Sequence, residues 1–155
     1  MHETFMDRAV EVALGNIRAG AGGPFGALIV HRGQPLAEGV NLVTSSMDPT
    51  AHAEIVAIRR ACQTLSRFWL KDCELYTTCE PCPMCFGAIY WSHIERLYYA
   101  CTRSDAAAAG FDDSFIYDQV YLSSEKRSIP MRQLGRDNAL GLFQEWKAKI
   151  DRVPY

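Results

Sequence analysis

Two short stretches carry the residue types from which metal chemistry is built, His52-Ala53-Glu54 and Pro81-Cys82-Pro83-Met84-Cys85. A catalytic zinc ion typically takes three protein ligands and leaves its fourth tetrahedral position to water. His52, Cys82 and Cys85 supply such a set, and two thiolates balance the charge of Zn2+. Thiolates are favoured where a helix N-terminus presents its N–H groups, the position expected for both cysteines. Glu54 remains as a carboxylate that is not a ligand, free to take a proton from activated water and return it to a departing amine, which is hydrolytic deamination. Residues two apart on a regular helix diverge by about 200°, so this division of labour needs His52 and Glu54 at a helix entrance.

Two other readings of the cysteines compete. A C-x-x-C pair also serves redox chemistry, but that leaves His52-x-Glu54 without a role. Cys79 precedes Cys82 at the same spacing and would complete a closed, purely structural Cys3His site with no place for water. Its expected position at the end of a buried strand favours the part of a small hydrophobe. Cys62, Cys73 and Cys101 read as inert thiols, and His2, His31 and His93 belong to no ligand pattern.

The elements that must position this set follow from periodicity. Phe5, Ala9, Ala13 and Ile17 recur at helical spacing until Gly20 to Gly23 end the pattern. Ala27 to His31 and Leu36 to Asn41, separated by Arg32-Gly33-Gln34-Pro35, suit an antiparallel hairpin. Asp48-Pro49-Thr50 leads into a helix over Ala51 to Leu65, which places His52 and Glu54 in its first turn. Cys73 to Thr78 reads as a strand, Met84 to Ser92 as a helix started by Pro81 and Pro83, and Arg96 to Cys101 as a further strand. The alternation predicts an α/β layer structure whose last two strands run parallel through a crossover helix. Beyond Gly110 the pattern gives a helical turn at Phe111 to Tyr117, an extended piece at Ile129 to Leu134 and a terminal helix at Leu140 to Ile150.

Composition bounds the setting. The chain has 155 residues, 48% of them hydrophobic and 22% charged, which predicts one globular domain over residues 1–155. No repeat or linker interrupts it. The longest apolar run, Leu97 to Cys101, is far short of the roughly 18 residues of a membrane span. A net charge of -2 lacks the basic excess on which nucleic-acid binding rests, so neither membrane nor nucleic acid is an expected partner. Met1 to Asp7 carries acid where a signal peptide carries base. The six cysteines therefore read as thiols of a reducing compartment, the cytoplasm.

H-x-E followed by P-C-x-x-C is the recurring pattern of the zinc nucleobase deaminases. Over nearly its whole length the chain resembles the cytidine deaminase-like superfamily, and within it the bacterial-type guanine deaminases. The stretches that carry this are Gly22 to Ala27, Asp48 to Glu54, Cys79 to Trp91 and, most particular to guanine deaminases, Ala109 to Tyr117. The resemblance implies a three-layer α/β/α fold with a five-stranded mixed sheet. It implies one zinc per subunit and attack of zinc-bound hydroxide on C2 of guanine to give xanthine and ammonia, with Glu54 as proton shuttle. Asp113 becomes the second acid, which recognises the ring and assists departure of the 2-amino group while sharing a proton. Asn41 and the Ala53 backbone N–H match contacts to the base, and Phe25 and Trp91 match aromatics of the pocket wall. The resemblance also implies a homodimer whose C-terminal segments are exchanged, each final Tyr155 closing the partner's site.

Read without that resemblance, the plainer assignments are favoured: Phe25 and Trp91 as core residues, Asn41 as a strand-end cap, Asp113 as a solvated helix start and Tyr155 as part of a frayed tail. Rival functions are a tRNA-adenosine or guanosine deaminase and, outside enzymes, a binding module with structural zinc. The first calls for a basic face to hold an RNA loop, whereas the end of the chain, Glu145 to Arg152, is mixed in charge.

Overall fold

A computed structural model describes all 155 residues, which fall into two compact units, Met1–Asp113 and Ser114–Tyr155. The first is organised by a four-stranded sheet. Its strands are β1 (Gly26–His31), β2 (Gln34–Val40), β3 (Cys73–Cys79) and β4 (Arg96–Cys101), in the order β2-β1-β3-β4. β1 runs antiparallel to both β2 and β3, and β3 runs parallel to β4. Helix α4 (Pro83–Trp91) makes the crossover that a parallel pair requires.

Gly26 to Val30 are all buried, as expected of a strand covered on both faces. Leu28 and Val30 pack with Tyr76 against Phe5 and Ala9 of helix α1 (His2–Arg18). Ala27 and Ile29 face the opposite way, onto Ala53, Ala57 and Ala61 of helix α3 (Ala53–Leu65) and Ile89 of α4. The period-two alternation of β1 thus feeds two cores and produces the expected three layers. The alanine stripe of α3 lets that helix lie close. At Gly39 of β2 a Cβ would collide with the Ala53 carbonyl and the Ala57 backbone nitrogen, so a residue without one sets the first turn of α3 down on the sheet.

The four strands of the two predicted pairs are present, with β4 as expected and the ends of the others shifted by at most two residues. Several features differ from expectation. The sheet has four strands, not five. Ile129 to Leu134, expected to be extended, pairs with no strand; Pro130 removes an N–H from it, and Ile129, Met131 and Leu134 are exposed. Helices α2 (Val43–Ser46) and α5 (Arg103–Ala108) were not anticipated. For α5 a signal exists in the sequence: Thr102 Oγ1 accepts from the Asp105 N–H while Asp105 Oδ2 accepts from the Thr102 N–H at 2.8 Å, a capping box.

The second unit consists of helix α6 (Ser114–Tyr121), a 3-10 turn at Ser124–Lys126 and helix α7 (Arg136–Ala148). Arg127 Nε donates to the carbonyls of Gln119 and Leu122, which ties the turn to α6. None of its residues is buried. No helix of the chain is long and apolar enough to cross a membrane.

Candidate active site

The N-termini of α3 and α4 meet at one edge of the sheet. His52 is the N-cap of α3 with an extended backbone, and Cys82 is the N-cap of α4, followed by Pro83 in the first helical position. His52 therefore stands just outside the helix and not in its first turn. An N-cap residue departs from helical geometry, which is how a histidine and a glutamate two apart reach one site. His52 Nδ1 lies 3.5 Å from Cys82 Sγ and 3.5 Å from Cys85 Sγ, and the three ligand atoms fall within 4.8 Å of one another. A tetrahedral zinc with ordinary Zn–S and Zn–N bonds holds its nitrogen and sulfur ligands about 3.6 Å apart. The donor set fits zinc, and it is an open one. Cys79 does not belong to it, which removes the closed four-ligand alternative.

Electrostatics prepare the thiols. The hydrogen bond with Cys85, reinforced by His52, holds the Cys82 pKa down to about 4. Cys85 moves steeply upward through that same bond and its burial. The pair thus shares one proton, which a cation bound there displaces. His52 is shifted upward, chiefly by its hydrogen bond with Cys82.

Glu54 is buried at the ligand cluster. Thr77 Oγ1 donates to its Oε1 at 3.2 Å, and Cys85 Sγ lies 3.5 Å from its Oε2. Burial raises its pKa above the usual carboxylate range, and the Cys82 thiolate adds to the rise. Asp113 is also raised, first by burial and then by Cys82.

His52, Glu54 and Cys82 open into a cavity of about 250 Å³ together with Phe25, Asn41 and Asp113. Asn41 is buried. Its Oδ1 accepts from the N–H groups of Gly23 and Val43 at 3.4 and 3.3 Å, which fixes the orientation of its amide. Ala53 is the first residue of α3, so its N–H has no partner within the helix. Phe25 forms an edge-on contact with Phe111, ring centres 4.9 Å apart. Trp91 ends α4, is 70% exposed and does not line the cavity. Tyr155 belongs to the second unit and is exposed.

Several residues at the site were not singled out from sequence. Thr77 holds Glu54; its neighbour Thr78 carries the same hydroxyl, so nothing in the strand's pattern singled it out. Asn16 of α1 donates from Nδ2 to the Asn41 carbonyl at 2.8 Å, and a lone asparagine on the apolar face of a helix was its signal. Arg103, Glu80 and Phe111 are also among the residues that line the cavity.

A three-layer α/β/α unit with an open set of zinc ligands at two helix N-caps and a buried carboxylate beside them defines a metal-dependent hydrolase. Residues 1–101 match the zinc-binding region of cytidine and deoxycytidylate deaminases, and the chain belongs to that family, with zinc as its cofactor. It is 53% identical over 154 residues, 99% of each chain, to the guanine deaminase of Bacillus subtilis (strain 168). The X-ray structure of a Bacillus subtilis guanine deaminase matches with a TM-score of 0.98 at 52% identity, covering 100% of this chain and 99% of that one. A tRNA-specific adenosine deaminase of Aquifex aeolicus (strain VF5) is 46% identical, but over 77 residues, 50% of this chain and 51% of that one.

Proposed function

We propose that the protein deaminates guanine hydrolytically, giving xanthine and ammonia. The observation that carries this is the buried Glu54 carboxylate beside the His52, Cys82 and Cys85 cluster, facing the same cavity as Asp113. Zinc held by those three residues supplies Lewis acidity that brings the pKa of water toward neutrality and makes it a nucleophile for C2. Glu54 takes the proton released from that water and delivers it toward the departing nitrogen. A raised pKa suits both halves of the task, because the same group must accept and then give up a proton near neutrality. Thr77 fixes the carboxylate by holding Oε1.

The other residues bind and orient. In this reading Asn41 Nδ2 and the Ala53 N–H meet heteroatoms of the purine, while Phe25, which lines the cavity, offers an apolar wall. Asp113, pushed toward its protonated form, shares a proton with the ring and assists departure of the 2-amino group. At about 250 Å³ the cavity is at the small end of ligand pockets, which run from roughly 300 Å³. That size suits a free base better than guanosine. The tRNA-deaminase reading is weaker, since the likeness to such enzymes covers 50% of the chain in one case and 71% at 34% identity in another, whereas the likeness to guanine deaminase covers 99% of the chain at 53% identity and includes Ser114–Tyr155 as well.

The proposal includes a homodimer with exchanged C-terminal segments. Its support is that Ser114–Tyr155 buries none of its own residues while exposing Phe115, Tyr121, Leu142, Phe143 and Trp146. Such a segment needs an apolar surface to cover it. In this arrangement Tyr155 closes the partner's cavity and Trp91 contributes to a pocket wall. Six free cysteines, two of them metal ligands, suit a reducing cytoplasm.

The test is to incubate zinc-loaded protein separately with guanine, guanosine, cytosine, adenine and a tRNA anticodon stem-loop, following ammonia and base identity by chromatography. Xanthine from guanine is expected. Conversion of the stem-loop adenosine with guanine untouched would overturn the substrate, and silence from all five would return the zinc to a structural role.

A further inference from the structure

Cys79 and Cys101 are aligned partners at the C-terminal ends of the parallel strands β3 and β4. Aligned residues of neighbouring strands project to the same face and are separated by roughly 4.8 Å, within the Cα range of about 4.4–6.8 Å that a disulfide spans. Both are free thiols, Cys79 buried and Cys101 exposed. Both border one apolar groove, with Leu14 and Ile17 of α1 on its other side. Cys79 Sγ is already turned across the gap between the strands. It lies 3.6 Å from the carbonyl oxygen of Thr102, the residue that follows Cys101. The Glu80 N–H donates to the Cys101 carbonyl at 2.8 Å, so the backbone is tied across the same gap.

We propose that Cys79 and Cys101 form a reversible disulfide that switches the active site off under oxidation by a hydroperoxide. The exposed Cys101 sulfur attacks the peroxide, the O–O bond breaks, and a sulfenic acid and one water result. Cys79 then displaces the hydroxyl from that sulfur, forming the S–S bond while its proton leaves in a second water. In total, two thiols are oxidised by two electrons and one hydrogen peroxide is reduced to two waters. Burial, with a further contribution from Cys101, pushes the Cys79 pKa up to about 11, so the exposed Cys101 and not Cys79 is the thiol that meets the peroxide first, and Cys79 gives up its proton only as it attacks the adjacent sulfenic acid. A small-molecule dithiol reverses the bond, as expected of one with an exposed sulfur.

The pair is coupled to the site by position. Cys79 lines the active cavity and leads through Glu80 and Pro81 to the ligand Cys82, while Cys101 leads through Thr102 to Arg103, another lining residue. Glu80 Oε2 accepts from the Arg103 N–H at 3.1 Å, so the two connections meet over the cavity. Drawing Cys79 Sγ from Thr102 to Cys101 shifts the segment that delivers Cys82.

The test treats full-length, zinc-loaded wild type and Cys101→Ala with stoichiometric hydrogen peroxide, then measures peptide linkage by mass spectrometry, zinc content and turnover of guanine. The expected wild-type result is an intramolecular Cys79–Cys101 peptide, retained zinc and turnover lowered roughly tenfold, since small misplacements in an active site cost at least that much. Dithiothreitol restores turnover, and Cys101→Ala loses neither thiols nor activity at the same dose. Zinc release in both proteins, a link between two chains, or overoxidation of Cys101 without a link would overturn the proposal. A mapped link with unchanged turnover would overturn its coupling to the site. The linkage is read independently of activity, so it stands or falls apart from the guanine proposal.

Discussion

Thr77 donates from Oγ1 to Glu54 Oε1 at 3.2 Å across the interface between β3 and α3. The bond fixes one carboxylate oxygen and leaves the other toward Cys85 and the metal ligands. Removing the carboxylate while keeping its shape isolates the proton transfer. Glu54→Gln should retain zinc and lose about 10² to 10⁴ in kcat, the usual share of a positioned acid or base. Metal analysis and steady-state kinetics on the same preparation check this. Full activity with bound zinc would remove Glu54 from the mechanism.

Thr77→Val keeps the volume of the strand residue and deletes the donor. A hydrogen bond to a charged group contributes roughly 1.5–3 kcal/mol, so kcat should fall about tenfold or more through a misaligned carboxylate. KM should change little, because Thr77 does not line the cavity. A change confined to KM would contradict the positioning role.

Much of this site was legible because its chemistry and its elements agree. H-x-E and C-x-x-C each sit where turn and proline signals open a helix, and the apolar run of β1 and the stretch read as β3 are strands that are buried in the structure. The supporting contacts were less visible. Thr77, Asn16 and Arg103 act through tertiary neighbours far away in sequence, and single polar residues carry no periodicity. Nor does local pattern decide pairing, which is why Ile129 to Leu134 resembles a strand yet joins no sheet. The placement of His52 outside α3 turned on one residue at a helix boundary, the least determinate feature of any sequence reading.

The metal site is tested by contrast between neighbouring cysteines. Cys82→Ala should lose zinc and activity together, since it removes a ligand and the thiolate that polarises His52 and Glu54. Cys79→Ala should bind zinc as the wild type does, because Cys79 stands outside the ligand cluster. Competition with a chromophoric chelator measures both. A large loss of affinity in Cys79→Ala would restore the closed-site reading.

Far from this edge, Asp72 gathers His31 at 2.9 Å and also pairs with Arg67 and Arg32. The His31 hydrogen bond, then Arg67, hold its carboxyl well below the usual range. Its folded pKa lies below the unfolded value of about 3.9, so the native state binds fewer protons and its stabilisation is complete above that value. It is lost as pH falls toward the folded pKa. Asp72→Asn should cost roughly 1–3 kcal/mol at neutral pH, the range for charged hydrogen bonds and partly buried partners left unpaired. Urea unfolding at pH 7 and at successively lower pH should show the gap between variant and wild type narrowing. A gap that widens toward acid would assign the stabilisation to another group.

The tail is tested by separating turnover from folding. Pro154 and Tyr155 lie in a unit with no buried residue, so deleting them removes no core packing within the chain. If Tyr155 closes the partner's cavity, the truncated protein should melt within a degree or two of wild type yet bind guanine more weakly and turn it over more slowly. A mixing experiment sharpens the test. Heterodimers of the truncated chain with full-length Glu54→Gln should contain one composite site with both an intact Glu54 and a partner's Tyr155, and should regain a fraction of wild-type activity that neither parent has. Restoration of that kind requires the tyrosine to act between chains; two independent sites would leave the mixture no more active than the sum of its parts.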